Sequence, residues 1–248
     1  MKNTNTKLAT VGALAASLLF TSCDSDNNNN TTPDAATIPV TISMQAVGPV
    51  GFAPAFFVTH DGSYDFFDTG SAASAELEPM AEIGDVTDIL STVPTGFYST
   101  SVTGESRPPI APGETFSVGT LMVSQENRYF TYGSMILPTS DTFVGNNNPT
   151  QFDLYQLLEA SPTGTVTITV NRLYDAGTEV NDFLTSPGGP LVGAPVGVAT
   201  DGVDENSIIT LSEPDFYNNY LNAGDFDVST INPNGVDVAI ITISRTDQ

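Results

Sequence analysis

The feature that most constrains this chain is a series of short runs in which apolar and polar residues alternate, each closed by Gly, Pro, Asn or Asp. Residues 38–46 (IPVTISMQA) are the clearest case. A period of two sends successive side chains to opposite faces of an extended strand, so one face can be buried while the other is wetted. Comparable runs lie at 53–59, 97–102, 115–123, 129–137, 165–170, 207–211 and 236–244. Val, Ile, Thr, Phe and Tyr dominate them, and these residues fit a pleated, half-buried surface. Short strands separated by turn residues predict a sandwich or barrel.

Three stretches break the alternation. In residues 71–84 (SAASAELEPMAEIG), Ser71 or Ser74 offers an N-cap, Gly84 offers a stop, and Pro79 limits the helix to short pieces. Residues 85–92 predict a helical turn. Residues 151–160 (QFDLYQLLEA) fit either a third short helix or an irregular strand. The expectation is a mainly β chain, an antiparallel β-sandwich with one or two short helices in its connections. No repeat of fixed period and no convincing linker divides the body, so residues 38–248 read as one domain.

The N-terminus reads as an address. Lys2 and Lys7 precede an apolar run at 8–20 that is too short to span a bilayer, and Phe20-Thr21-Ser22-Cys23 follows. Small residues before a cysteine resemble the lipobox of bacterial lipoproteins. Residues 1–22 are therefore expected to be a signal peptide, with Cys23, the single cysteine, lipidated and anchoring the chain to a membrane. Residues 23–37 are rich in Asn, Asp and Thr and lack apolar periodicity, which predicts a disordered tether. The expected location is extracytoplasmic, on the outer membrane or cell surface.

Charge excludes one class of partner. From Cys23 onward four arginines (Arg107, Arg128, Arg172, Arg245) face 29 acids, a net charge of −25. Nucleic-acid affinity comes from clustered Lys and Arg, so a nucleic-acid partner is not expected. The abundant ligand here is the carboxylate, and hard cations prefer oxygen. Two places could hold one: residues 138–143 (PTSDTF), after the 129–137 strand, and residues 174–179 (YDAGTE), where Ala-Gly-Thr lets the chain turn so that Asp175 and Glu179 can face one point. Asn181 and Asp182 follow at once. Loops at one end of a sandwich can converge on an ion.

His60 is the single histidine, beside Asp61 and Ser63. Adjacency in sequence does not make a triad, which needs three groups converging in space. No G-x-S-x-G elbow is present. The simpler reading of His60-Asp61-Gly62-Ser63 is a strand end followed by a turn.

Residues 53–85 (APAFFVTHDGSYDFFDTGSAASAELEPMAEIGD), 135–145 (MILPTSDTFVG) and 174–182 (YDAGTEVND) together resemble the spondin domain as it occurs in bacterial lipoproteins. The resemblance covers roughly residues 38–245 in consistent order. It implies a β-sandwich with a Ca²⁺ ion at one end, held by an Asp ending a P-x-x-D turn and two carboxylates of a D-A-G-T-D segment. Asp141 matches the first position and Asp175 the second; Glu179 stands where the animal relatives, F-spondin and mindin, have Asp. The function this implies is a calcium-stabilised, lipid-anchored binding or adhesion module, not an enzyme, with an extracellular protein or glycan as ligand. The alternatives are a structural envelope protein whose calcium only staples loops, and a hydrolase using His60.

Overall fold

The computed structural model describes residues 37–47, 50–101, 110–137, 139–181, 202–212 and 237–247. The expected signal peptide, Cys23, all but the last residue of the tether, and Asp182 lie outside the described residues.

Alternation becomes architecture most directly in the first sheet. Its strands are β1 (Ile38–Ala46), β5 (Thr115–Val123), β8 (Thr165–Val170) and β11 (Ala239–Arg245), in the order β5-β1-β11-β8. All pairings are antiparallel. Along β1 the residues Val40, Ile42, Met44 and Ala46 are fully buried while those between them are not. β11 follows the same rule with Ala239, Ile241 and Ile243.

The second sheet is built differently. Its path is β10 (Thr210–Leu211), β9 (Tyr174–Asp175), β7 (Thr142–Gly145), β6 (Tyr129–Leu137), β3 (Phe56–His60) and β4 (Tyr98–Ser101), with β2 (Gly51–Phe52) also on β6. β3 and β7 are buried at every position, because this sheet is covered on both faces. One face meets the first sheet: Phe57, Phe130, Tyr132 and Val144 join Val40, Ile42 and Ile241 in the main core. The other face carries Phe56, Val58, Phe143 and Tyr174, which pack with Phe66, Phe67 and two helices.

Those helices are α1 (Leu77–Ile83) and α2 (Thr87–Ser91); α3 (Leu154–Ala160) lies against β6 and β8. Pro79 sits in the first turn of α1, where its missing N–H costs nothing. Ser74 Oγ accepts the Leu77 N–H at 3.2 Å, just ahead of the helix, and Gly84 ends it in the left-handed region (φ 71°). Residues 151–160 thus resolve as a helix, capped by the Asp153 carboxylate on the Gln156 N–H. The outcome is the expected antiparallel two-sheet fold, with three short helices among the described residues rather than one or two. The short strands β2, β7 and β9 were not anticipated.

Two glycines make the second core possible. Gly133 and Gly145 are cross-strand partners on β6 and β7. A Cβ at Gly133 would lie 2.4 Å from Phe56 Cε1, and one at Gly145 would lie 2.7 Å from Phe66 Cζ. The aromatic rings occupy the volume that these side chains would need.

Candidate metal centre

The edge of the second sheet brings the two acidic segments together. β7 pairs with β9 through Thr142↔Asp175 and Phe143↔Tyr174, so Asp141 and Asp175 arrive at the same end. Thr139 tightens the turn before β7: its Oγ1 donates to the Ile136 carbonyl and accepts the Thr142 N–H. The Ala176 N–H bonds to the Asp141 carbonyl at 3.3 Å. Gly177 then turns the chain at φ 67°, a conformation suited to glycine, and a Cβ there would meet the Ile208 carbonyl oxygen at 2.8 Å.

Asp141 is fully buried. Its Oδ2 accepts from the backbone N–H groups of Thr178 (2.8 Å) and Glu179 (3.2 Å) and from Thr178 Oγ1 (3.3 Å). Its Oδ1 is buried with no hydrogen-bond partner. Asp175 Oδ1 accepts the Gly177 N–H at 2.9 Å, and Oδ2 accepts from Asn181 Nδ2 at 2.8 Å. The third carboxylate is Glu205. One oxygen each from Asp141, Asp175 and Glu205 lie within 4.8 Å of one another.

Glu205 reaches the site because residues 203–207 run alongside the turn. The Glu205 N–H donates to the Thr178 carbonyl, the Ser207 N–H to Gly177 and the Val180 N–H to Val203. Asn206 adopts a left-handed conformation (φ 56°), which Asn tolerates better than most residues.

The sequence-predicted trio of Asp141, Asp175 and Glu179 is therefore only partly assembled. Asp141 and Asp175 converge. Glu179 is buried and contributes its backbone N–H to Asp141, while its side chain packs over Gly202, where any Cβ would collide with it. The carboxylate grouped with the two aspartates is that of Glu205. No local pattern marks it, because it lies 30 positions beyond Asp175 and reaches the site through backbone pairing.

The electrostatics oppose three ionised acids. Burial and the neighbouring Asp175 raise the Asp141 carboxyl to about 7, against the pull of its three hydrogen bonds. Burial raises Asp175 as well, and Glu205 is raised by burial and by Asp175. At the 4.8 Å limit an ionised Asp141–Asp175 pair repels by roughly 3 kcal/mol at an effective dielectric of about 20. The ion pairs among the described residues lie elsewhere, Arg128 with Asp153 and Arg245 with Glu159 and Asp247. An all-oxygen, unneutralised set with one orphaned buried oxygen has the chemistry of a hard-cation site.

His60 makes two hydrogen bonds in the interior. It is fully buried, its Nδ1 accepts the Gly62 N–H at 3.0 Å, and its Nε2 is 3.0 Å from Thr131 Oγ1. Accepting at Nδ1 leaves the proton on Nε2, so the ring donates to Thr131. Burial lowers its pKa to about 4, partly offset by Asp61. Ser63 Oγ donates to Asp61 Oδ1 at 2.6 Å rather than to the imidazole.

Compared with protein-family models and with curated proteins, the chain matches none.

Proposed function

We propose that this chain is an extracytoplasmic binding or adhesion module of the spondin type, anchored by lipid at Cys23 and stapled by a Ca²⁺ ion at Asp141, Asp175 and Glu205. The observation that carries the metal reading is the fully buried Asp141, whose Oδ1 lacks a partner beside two further carboxylates, with no ion pair to any of the three among the described residues. Calcium accepts six to eight oxygens in irregular geometry, which suits ligands drawn from separate segments; magnesium demands a near-ideal octahedron. Carbonyls and waters complete the shell. The ion would relieve the repulsion between the acids and tie residues 203–207 to the β7–β9 edge.

Calorimetric titration of metal-free protein and thermal melts in calcium and in chelator test this. A Kd on the order of 10⁻⁴–10⁻³ M is expected for an extracellular-type site. Calcium at about a hundred times Kd should add roughly 2.7 kcal/mol by mass action. Asp175→Asn should remove most of that gain, and Glu205→Gln should remove more of it than Glu179→Gln. If wild type and Asp175→Asn melt alike in both media, the acids form no calcium site. Mass spectrometry of the mature N-terminus should show a diacyl- or triacylglyceryl cysteine; a free thiol at Cys23 would refute the anchor.

A further inference from the structure

At the far end of β7 from Asp141, residues of both sheets line a concavity of about 370 Å³, within the range of small-ligand sites. Gly145 at this end is four positions from Asp141, about 13 Å along the strand. Its lining includes the aromatic residues Tyr132, Phe152 and Tyr174 and the amide residues Asn147, Gln151 and Asn171. Among the described residues that line it there is no Asp or Glu, although the chain carries 29 acids.

Arg172 supplies its cation. Arg128 and Arg245 are paired with carboxylates, whereas Arg172 lies beside the Tyr174 hydroxyl and forms no ion pair among the described residues. A guanidinium has five N–H donors, so one phenol leaves a fork free for a carboxylate. The loop that carries Asn147, Asn148 and Gln151 is held in place by Asn146, which is buried. Its Oδ1 accepts the Tyr132 N–H, and its Nδ2 donates to the carbonyls of Phe130 and Asn148. Asn148 Oδ1 accepts from both the backbone and the hydroxyl of Thr150. Asn147 and Gln151 therefore stand on a loop already fixed before any ligand arrives.

From this cluster we infer that the concavity binds a saccharide bearing a carboxylate, with Arg172 holding the carboxylate and the amides of Asn147, Gln151 and Asn171 holding hydroxyls. Each amide presents a donor and an acceptor side by side, which matches a pair of neighbouring hydroxyls, and the part-exposed ring of Phe152 offers an apolar face to the sugar C–H groups. The inference rests on the binding-module reading and names its ligand class.

The test is calorimetric titration of the full-length protein at about 0.15 M salt, which screens the repulsion of its net negative charge. The probes are oligomers of galacturonate, of mannuronate and of hyaluronate, each beside its carboxyl-reduced form, with acetate as a further probe. At least one acid form should bind roughly tenfold or more tighter than its reduced counterpart, and Arg172→Gln should abolish the difference. Asn147→Ala should weaken both forms. No acid preference across the panel, a preference that survives Arg172→Gln, or acetate binding as tightly as the uronates would each overturn the inference. Loss of calcium stabilisation with intact Arg172-dependent binding would refute the metal centre alone, and the converse result would refute the saccharide site alone.

Discussion

Asp141 shows how much one side chain depends on its surroundings. Its three hydrogen bonds favour the carboxylate, yet burial and Asp175 outweigh them and hold its pKa at about 7. An unfolded aspartate titrates near 3.9. Between those values the folded, metal-free protein binds the extra proton, so the contribution of Asp141 to stability is full below about pH 4 and is lost as pH rises to about 7. His60 works in the opposite sense: its pKa is lowered to about 4, so its contribution is lost as pH falls from about 6.5. Comparing wild type with Asp141→Asn isolates the first effect. Melts of metal-free protein from pH 5 to 8 should show the variant gaining on wild type as pH rises. Saturating calcium should remove the loss above pH 7, because the ion favours the ionised form. An identical pH profile in variant and wild type would refute this account of the Asp141 carboxyl.

At the scale of elements, the pairing of β6 with β7 decides where the acids sit. It also depends on glycine for a reason of space rather than flexibility. Phe56 lies directly across from Gly133, and Phe66 is in edge-on contact with it at 5.1 Å between ring centroids. Gly133→Ala should overpack this cluster and destabilise the protein by about 1–3 kcal/mol. Gly119→Ala, on β5 where a Cβ meets nothing within 4 Å, is the control and should change the denaturant midpoint little. The same substitutions bear on the metal centre. A displaced β7 would move Asp141, so Gly133→Ala should also weaken calcium binding while Gly119→Ala should not. Helix α1 depends on this cluster in return, since its Leu77 and Met80 are buried in it. Helices this short have little stability of their own.

For the molecule as a whole, the two ends of residues Ala35–Gln248, which form one compact unit, lie side by side. β1 and β11 are neighbours at the centre of the first sheet, in register from Val40↔Arg245 to Ala46↔Ala239. The last strand is therefore a central one, with β1 on one side and β8 on the other. Deleting residues 238–248 removes Val238, Ala239, Ile241 and Ile243 from the core, strips β1 of its partner on one side and separates β8 from the sheet. Cooperative thermal melting should be lost, and a truncated chain that still melts cooperatively would show that the sheet tolerates an open centre.

Strands whose pattern repeats over six or more residues could be read without the structure: β1, β5, β6 and β8 lie where alternation or β-forming composition placed them. Asp141 and Asp175 could be picked out as candidates too, because each adjoins a turn-forming segment, 138–141 and 176–178, and matches the motifs of the family resemblance. β2, β7 and β9 were not legible, since two to four residues carry no period and exist as strands only through partners far along the chain. Glu205 was hidden for the same reason: its place beside the two aspartates comes from backbone bonds to Thr178 and its neighbours, and one acid among many has no local mark. The alternating pattern determined that this chain would form sheets and bury one face of each. Which carboxylates share a site, and that the second sheet is covered on both faces, was decided by long-range pairing, which obeys the packing of whole elements rather than the order of residues.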